Sequence, residues 1–167
     1  DLQLSVMAGD YGYGRQMINA GRSSSCGLEL SLRGTALDNR FTWAATYGYT
    51  HSQLLDYEDN QVPFIPTHTF SAMTDYRIGK FTFGLNVAGN GPTYWDVDNE
   101  YRQKLYATLG AHAMVDFGCI KLNVWGRNLT DTKYNTMLVN SSIDGTNRSF
   151  AQQGNPLQVG ADLIMHF

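Results

Sequence analysis

Apolar residues fall at every second position along much of this chain. The plainest run is residues 157–167, where Val159, Ala161, Leu163, Met165 and Phe167 alternate with Gln158, Gly160, Asp162 and His166; Ile164 is the one break on the polar side. A period of two puts the apolar set on one face of a strand and the polar set on the other. The same alternation recurs upstream: Leu2, Leu4, Val6 and Ala8; Leu28, Leu30 and Leu32; Phe41, Trp43, Ala45, Tyr47 and Tyr49; Phe70, Ala72 and Tyr76. It continues with Phe81, Phe83, Leu85 and Val87; then Leu105, Ala107, Leu109, Ala111, Ala113 and Val115; then Ile120, Leu122 and Val124. These runs predict about eight strands and no helix. Opposite the apolar set stand Gln3, Glu29, Arg33, Thr46, Asn86, Lys121, Asn123 and Asp162, a polar face.

The connections between the runs alternate in length. Residues 9–25, 52–67, 89–100 and 129–156 make long polar stretches, whereas 34–39, 79–80 and 117–118 are short and rich in turn residues. Pro63 and Pro66 keep the second long stretch out of any central strand. Strands longer than the usual five or six residues, joined by alternating short and long links, are the pattern of a β-barrel that crosses a bilayer, with short periplasmic turns and long external loops. A strand running to the last residue fits a closing strand locked between neighbours, because a bilayer accepts β structure only when it is closed. Aromatic residues form two groups. Phe41, Trp43, Tyr76, Phe81, Phe83, Phe117 and Phe167 lie near the short turns; Tyr47, Tyr49, Tyr94, Trp95, Tyr101 and Tyr106 lie near the long loops. Two membrane interfaces select for such belts. Closed on itself, an eight-stranded barrel is filled by its own side chains; in a larger one the polar face lines a wet lumen or meets a plug.

Composition narrows the picture. Charged residues are 16% of the chain, below the roughly 25% of soluble domains. The net charge of −3 is not that of a nucleic-acid binder. Sequence alone shows no apolar run long enough for a transmembrane helix and no signal peptide, and the strand pattern beginning at Asp1 suggests a mature chain or a fragment. Cys26 and Cys119 form neither a disulfide framework nor a metal motif. The chain carries no nucleophile elbow, zinc-protease helix or phosphate loop, so no enzyme and no cofactor are expected. His51, His68, His112 and His166 lack metal-ligand spacing. Asp56, Glu58 and Asp59 in one loop and Asp96, Asp98 and Glu100 in another offer oxygen ligands, but without the fixed spacing of a calcium loop; a solvated loop face is the plainer reading.

The segment VWGRNLTDTKY, ending at Tyr134, resembles the stretch before the last strand of TonB-dependent outer-membrane receptors, with Asn128, Leu129, Thr130, Asp131 and Tyr134 on the motif positions. Gly154, Asn155 and Pro156 resemble the family's Gly-x-Pro segment, and the terminal Phe167 resembles the aromatic that ends its final strand. Upstream, VPFIPTHTFSAMTDY resembles the family's segment with Pro63, Pro66 and His68 entering a strand, and NAGRSSSCGLELSLR resembles another of its strands. The matches cover residues 19–167 in the family's order. The resemblance implies a C-terminal portion (residues 1–167) of a roughly 22-stranded barrel, without the plug that fills it. It implies transport of an iron chelate such as a siderophore complex, a cobalamin or a glycan across the bacterial outer membrane. The expected partners are outer-membrane lipid, the small-molecule or glycan ligand, and the TonB system acting through the N-terminal part, with no nucleic acid. A complete eight-stranded structural or adhesive barrel is the alternative, and a soluble lipocalin-like barrel a third.

Overall fold

The structure, a computed structural model, describes residues 3–7, 15–19, 21–143 and 146–166. Phe167 and its expected place in the closing strand lie outside them. The described strands are β1 (Gln3–Met7), β2 (Arg15–Asn19), β3 (Ser23–Ala36), β4 (Phe41–Leu54), β5 (His68–Ile78), β6 (Phe81–Asn90), β7 (Thr93–Tyr94), β8 (Arg102–Gln103), β9 (Tyr106–Asp116), β10 (Ile120–Arg127), β11 (Asn135–Ile143), β12 (Thr146–Gln153) and β13 (Gln158–Met165). Seven form one antiparallel sheet in the order β13-β10-β9-β6-β5-β4-β3. The others pair as hairpins: β1 with β2, β7 with β8, and β11 with β12.

The register confirms the two-faced reading of the sheet. Leu122 stands opposite Leu163 and Val115, and Val124 opposite Ala161 and Ala113. The apolar row continues from Val115 to Phe81 and Ile78, and from Ala113 to Phe83, Tyr76 and Phe41. At the other end of the strands Tyr47 pairs with Leu30 and Phe70. Asn123 faces Asp162 on the opposite side, with an Asn123 Nδ2 to Asp162 Oδ2 hydrogen bond of 3.2 Å. Lys121 and Asp116, also register partners, form a 2.9 Å ion pair. Thr46 and Ser71 share a 2.7 Å hydroxyl contact.

Short links join β3 to β4, β5 to β6 and β9 to β10 at one end. Gly79 and Gly118 supply the positive φ that two of these turns need (58° and 90°). The first link ties Arg40 N to Leu37 O at 3.1 Å.

A single sheet leaves both faces uncovered. Leu28, Leu85, Val159 and Leu163 are each more than half exposed, and among the described residues the buried apolar side chains are Leu54, Val62 and Pro63, at the loop end. The molecule exposes 11367 Å², against about 8,200 Å² expected for a compact protein of this mass. An apolar face of this extent is stable only against lipid or further protein. The two edge strands, β3 and β13, each pair on one side only among the described residues, so the sheet is open.

Four details depart from the sequence reading. The first predicted strand exists, but it pairs with β2 in a separate hairpin within what reads as a loop, so the large sheet has seven strands rather than about eight. Residues 102–103 belong to the small β7–β8 hairpin rather than to the start of β9. The predicted loop 129–156 contains the β11–β12 hairpin, whose polar sequence gives no period-two signal. Tyr106 pairs with Asn90 on the polar face and is not part of the apolar aromatic belt.

Candidate functional site at the loop end of the sheet

The motif beginning at Asn128 folds as a knot where β10 leaves the sheet. Asn128 and Asp131 both have φ of 48°, a left-handed conformation that Asn and Asp adopt more readily than other side chains. The Asn128 side chain is almost wholly buried and satisfied at both ends. Its Oδ1 accepts from Thr132 N at 2.9 Å, and its Nδ2 donates to Thr132 O at 3.0 Å and to Asn155 O at 2.9 Å. Asp131 Oδ1 accepts from Leu157 N at 3.1 Å, and Lys133 Nζ lies 2.8 Å from its other oxygen. Two residues at this spacing therefore bind the end of β10 to the start of β13, across the whole β11–β12 hairpin. Thr130 and Thr132 share a 2.8 Å hydroxyl contact, and Leu129 N donates to Leu109 O at 2.8 Å. The Lys133 ammonium and then the Leu157 amide hold the Asp131 carboxyl below the ordinary aspartate range.

Tyr134 ends the knot. Its ring stacks on Tyr106 with centroids 4.2 Å apart, and Tyr106 in turn accepts a 3.2 Å hydrogen bond from Asn90 Nδ2. Gly154 lies against the Tyr134 ring so closely that an added Cβ would sit 2.1 Å from Cζ. Gly154 N donates to Tyr134 O at 2.8 Å. Of these partners, Gly154 was legible as part of the family motif, whereas Tyr106 was not; its phase within β9, one residue off the apolar set, was the available signal.

The proline segment closes a second knot. Pro63 is buried beside Val62, and Phe64, at φ 65°, donates its N–H to Tyr94 O at 2.8 Å. Pro66 precedes Thr67, whose N–H reaches Pro92 O at 2.9 Å. Asn99 exchanges two hydrogen bonds with Gln61, 2.7 and 3.0 Å, and Asn60 Nδ2 reaches Val97 O at 2.9 Å. These amides, which bind the β4–β5 loop to the β7–β8 hairpin, carried no sequence signal. His68 stands on the apolar face, its Nδ1 2.8 Å from the Tyr47 hydroxyl and its ring against Tyr47 and Tyr49. Elsewhere the Asp56 carboxyl is held below its ordinary range, first by the Arg22 N–H at 2.8 Å and then by the Arg22 guanidinium.

Two adjoining concavities open beside Tyr134. One, of about 380 Å³, lies on the polar face of the sheet, where Thr46, Thr69, Ser71, Asn90 and Thr108 join Tyr106. The other, of about 570 Å³, lies between Phe64 and the β11–β12 hairpin and is lined by Thr136, Met137, Gln152, Gln153 and Asn155. The knots of Asn128 and Pro63 thus shape the walls of a depression at the loop end. Most of the sequence-predicted residues are the frame, and among them Tyr134, Gly154 and Asn155 border the depression. Among the described residues, no three His, Cys, Asp or Glu side chains come together as a metal site would require.

Comparison with known proteins matches residues 1–129 to the family profile of the TonB dependent receptor-like β-barrel. The pesticin receptor of Yersinia pestis is 29% identical over 127 residues, 71% of this chain and 19% of the relative. The chain thus spans about a fifth of the length of the curated relatives it matches. The ferric yersiniabactin uptake receptor FyuA from Yersinia pestis superposes with a TM-score of 0.81 at 26% identity, over 91% of this chain and 25% of that one. The siderophore receptor PiuA from Acinetobacter baumannii shares the fold, with a TM-score of 0.75 at 23% identity over 90% of this chain and 23% of that one. With most of its length matched by the profile, and its fold shared with a solved uptake receptor, this chain belongs to the TonB-dependent receptor β-barrel family.

Proposed function

We propose that this chain is the C-terminal portion of an outer-membrane receptor that imports an iron chelate of the siderophore class, driven by TonB. The observation that carries the reading is the likeness, at 26% identity and a TM-score of 0.81, to a receptor for ferric yersiniabactin uptake. The loop-end depression supports it, because an external vestibule is where a receptor of this architecture meets a solute. In this reading Asn128, Leu129, Thr130, Asp131 and Tyr134, with Pro63, Pro66 and His68, hold the wall and loops in register rather than touching substrate. Phe167 serves insertion of the closing strand. The plug and the segment that contacts TonB belong to a part of the protein N-terminal to these residues. The role in this reading is capture and passage.

The test is growth. The full-length protein is expressed in an iron-starved strain lacking its own siderophore receptors and fed ferric yersiniabactin, ferrichrome, ferric enterobactin or ferric citrate. Growth on at least one chelate, abolished when tonB is deleted, is the expected result. Growth on none of them, together with uptake of cobalamin or a glycan, would refute the iron reading.

A further inference from the structure

The polar face of the sheet is sorted by charge along the strands. Its turn-side half carries Arg33, Asp75, Arg77, His112, Asp116 and Lys121, with Asp75 and His112 joined at 3.3 Å across the bare backbone of Gly84. The loop-side half carries hydroxyls and amides. Neither concavity beside Tyr134 has a charged side chain in its lining. Two charged residues are the loop-side exceptions on this face: Glu29, in the register row of Thr69 but on the edge strand β3 beyond Gly48, and Arg127, whose guanidinium is laid over the Trp125 ring, 4.7 Å from the centroid; neither lines a concavity.

Phe64 is the second observation. A bulky side chain at φ 65° is a rare conformation, kept only where the surroundings impose it. Here they do: Phe64 N–H is bound to Tyr94 O, and Gln61 Nε2 holds the next carbonyl, Ile65 O, at 2.7 Å. The ring meets Trp95 edge-on at 5.7 Å yet is 51% exposed, at the border of the larger concavity. The strained turn presents an apolar ring to a space otherwise bounded by neutral hydrogen-bonding groups.

We propose that this sector of the vestibule seats an uncharged, partly aromatic or otherwise flat portion of the iron chelate, with Phe64 as its apolar contact and Thr69 and Gln152 among its neutral polar contacts. The assignment rests on the iron-chelate reading of the receptor. It adds that any anionic groups of the substrate are met elsewhere in the receptor. The physical ground is that a neutral site offers an anion no countercharge for the water it gives up, while amides and hydroxyls match neutral donors and acceptors at little cost.

The experiment inserts charge of both signs into the full-length receptor. Thr69→Glu, Thr69→Lys, Gln152→Glu and Gln152→Lys are compared for uptake of whichever of the four ferric chelates supports growth of the wild type, with the amount of receptor in the outer membrane measured by surface labelling. If the seated group is neutral, Glu and Lys at one position both lower uptake per inserted receptor, each by about tenfold or more, since either charge is desolvated without a partner. Phe64→Ala lowers it as well, and Phe64→Tyr restores most of it. Tolerance of Lys with loss for Glu would place an anionic group there and overturn the proposal. No effect of either sign would show that the sector does not touch substrate and would also overturn it. Failure of the wild type on every chelate is separate, and strikes the iron-chelate reading itself.

Discussion

At the scale of single residues, the two faces of each strand dictate opposite responses to the same substitution. Leu122 lies on the apolar face between Leu163 and Val115, and Asn123 on the polar face beside Asp162. Leu122→Arg puts a charge into hydrocarbon and should cost about 2–4 kcal/mol in a denaturant titration of the folded receptor in bilayers, whereas Asn123→Arg should cost well under half of that. Comparable losses would mean that the faces have been assigned wrongly, because a slip of one residue exchanges them. Spin labels at the same two sites give an independent check, with a water-soluble quencher reaching only the label at 123. For Phe167, proposed to serve insertion, deletion should lower the amount of receptor inserted while leaving transport per inserted molecule little changed; normal insertion would remove this role.

At the scale of elements, the knots decide how the loops are held. Asn128 spans three backbone partners from a buried position in a left-handed conformation. Asn128→Ala leaves the Thr132 amide and the Thr132 and Asn155 carbonyls unpaired and strains the backbone, which should destabilise the folded state by about 1–3 kcal/mol. The readout is faster proteolytic nicking within residues 129–157, with the strands themselves still resistant. Gly154→Val would drive a side chain into Tyr134, and should separate it from Tyr106 and loosen the same hairpin.

The knot also has a pH signature. The Asp131 carboxyl titrates below the ordinary 3.8, so its contribution is complete above that value and is lost as pH falls through the lowered one. Amide exchange at Leu157, corrected for intrinsic rate, should therefore be unchanged from about pH 8 to 5 and rise only in strong acid, and Asp131→Asn should abolish that rise. A rise already present near neutrality would show that Asp131 is not the tie.

At the scale of the whole molecule, the open sheet governs behaviour. Among the described residues the outer sides of β3 and β13 present unpaired backbone donors and acceptors, which lipid cannot satisfy. In the proposed full-length receptor, further strands of the barrel would cover them. The isolated chain has only other copies to pair with, and should assemble edge to edge or aggregate on refolding into detergent. Planar-bilayer recordings should show no large, stable conductance. Porin-like currents from this chain alone would mean that it closes into a channel by itself.

Much of this architecture could be read from the order of residues, for physical reasons that are local. Alternation fixes which side chains share a face whatever the neighbours are, so the apolar rows of β4, β6, β10 and β13 were visible before any pairing was known. Turn chemistry at Gly79 and Gly118 marked the short links, and the length of the strands marked the bilayer. The NLTD motif was legible through its resemblance to a family segment; the Asn128 cap on Thr132 is local, whereas the ties to Asn155 and Leu157 are not. What only the tertiary structure decided is whatever depends on partners far apart in the chain. Strand β1 showed its alternation, but its pairing with β2 in a separate hairpin did not, and the β11–β12 hairpin was hidden because its sequence gives no period-two signal. The inward turn of Tyr106, the Gly154 contact with Tyr134 and the Asn60 and Asn99 ties are set by cross-strand register and loop packing, which no single segment encodes. The same holds for the neutral depression at the loop end. Thr69 and Gln152 lie more than eighty residues apart, and only the meeting of the loop end of β5 with the β11–β12 hairpin around Tyr134 makes them walls of one vestibule.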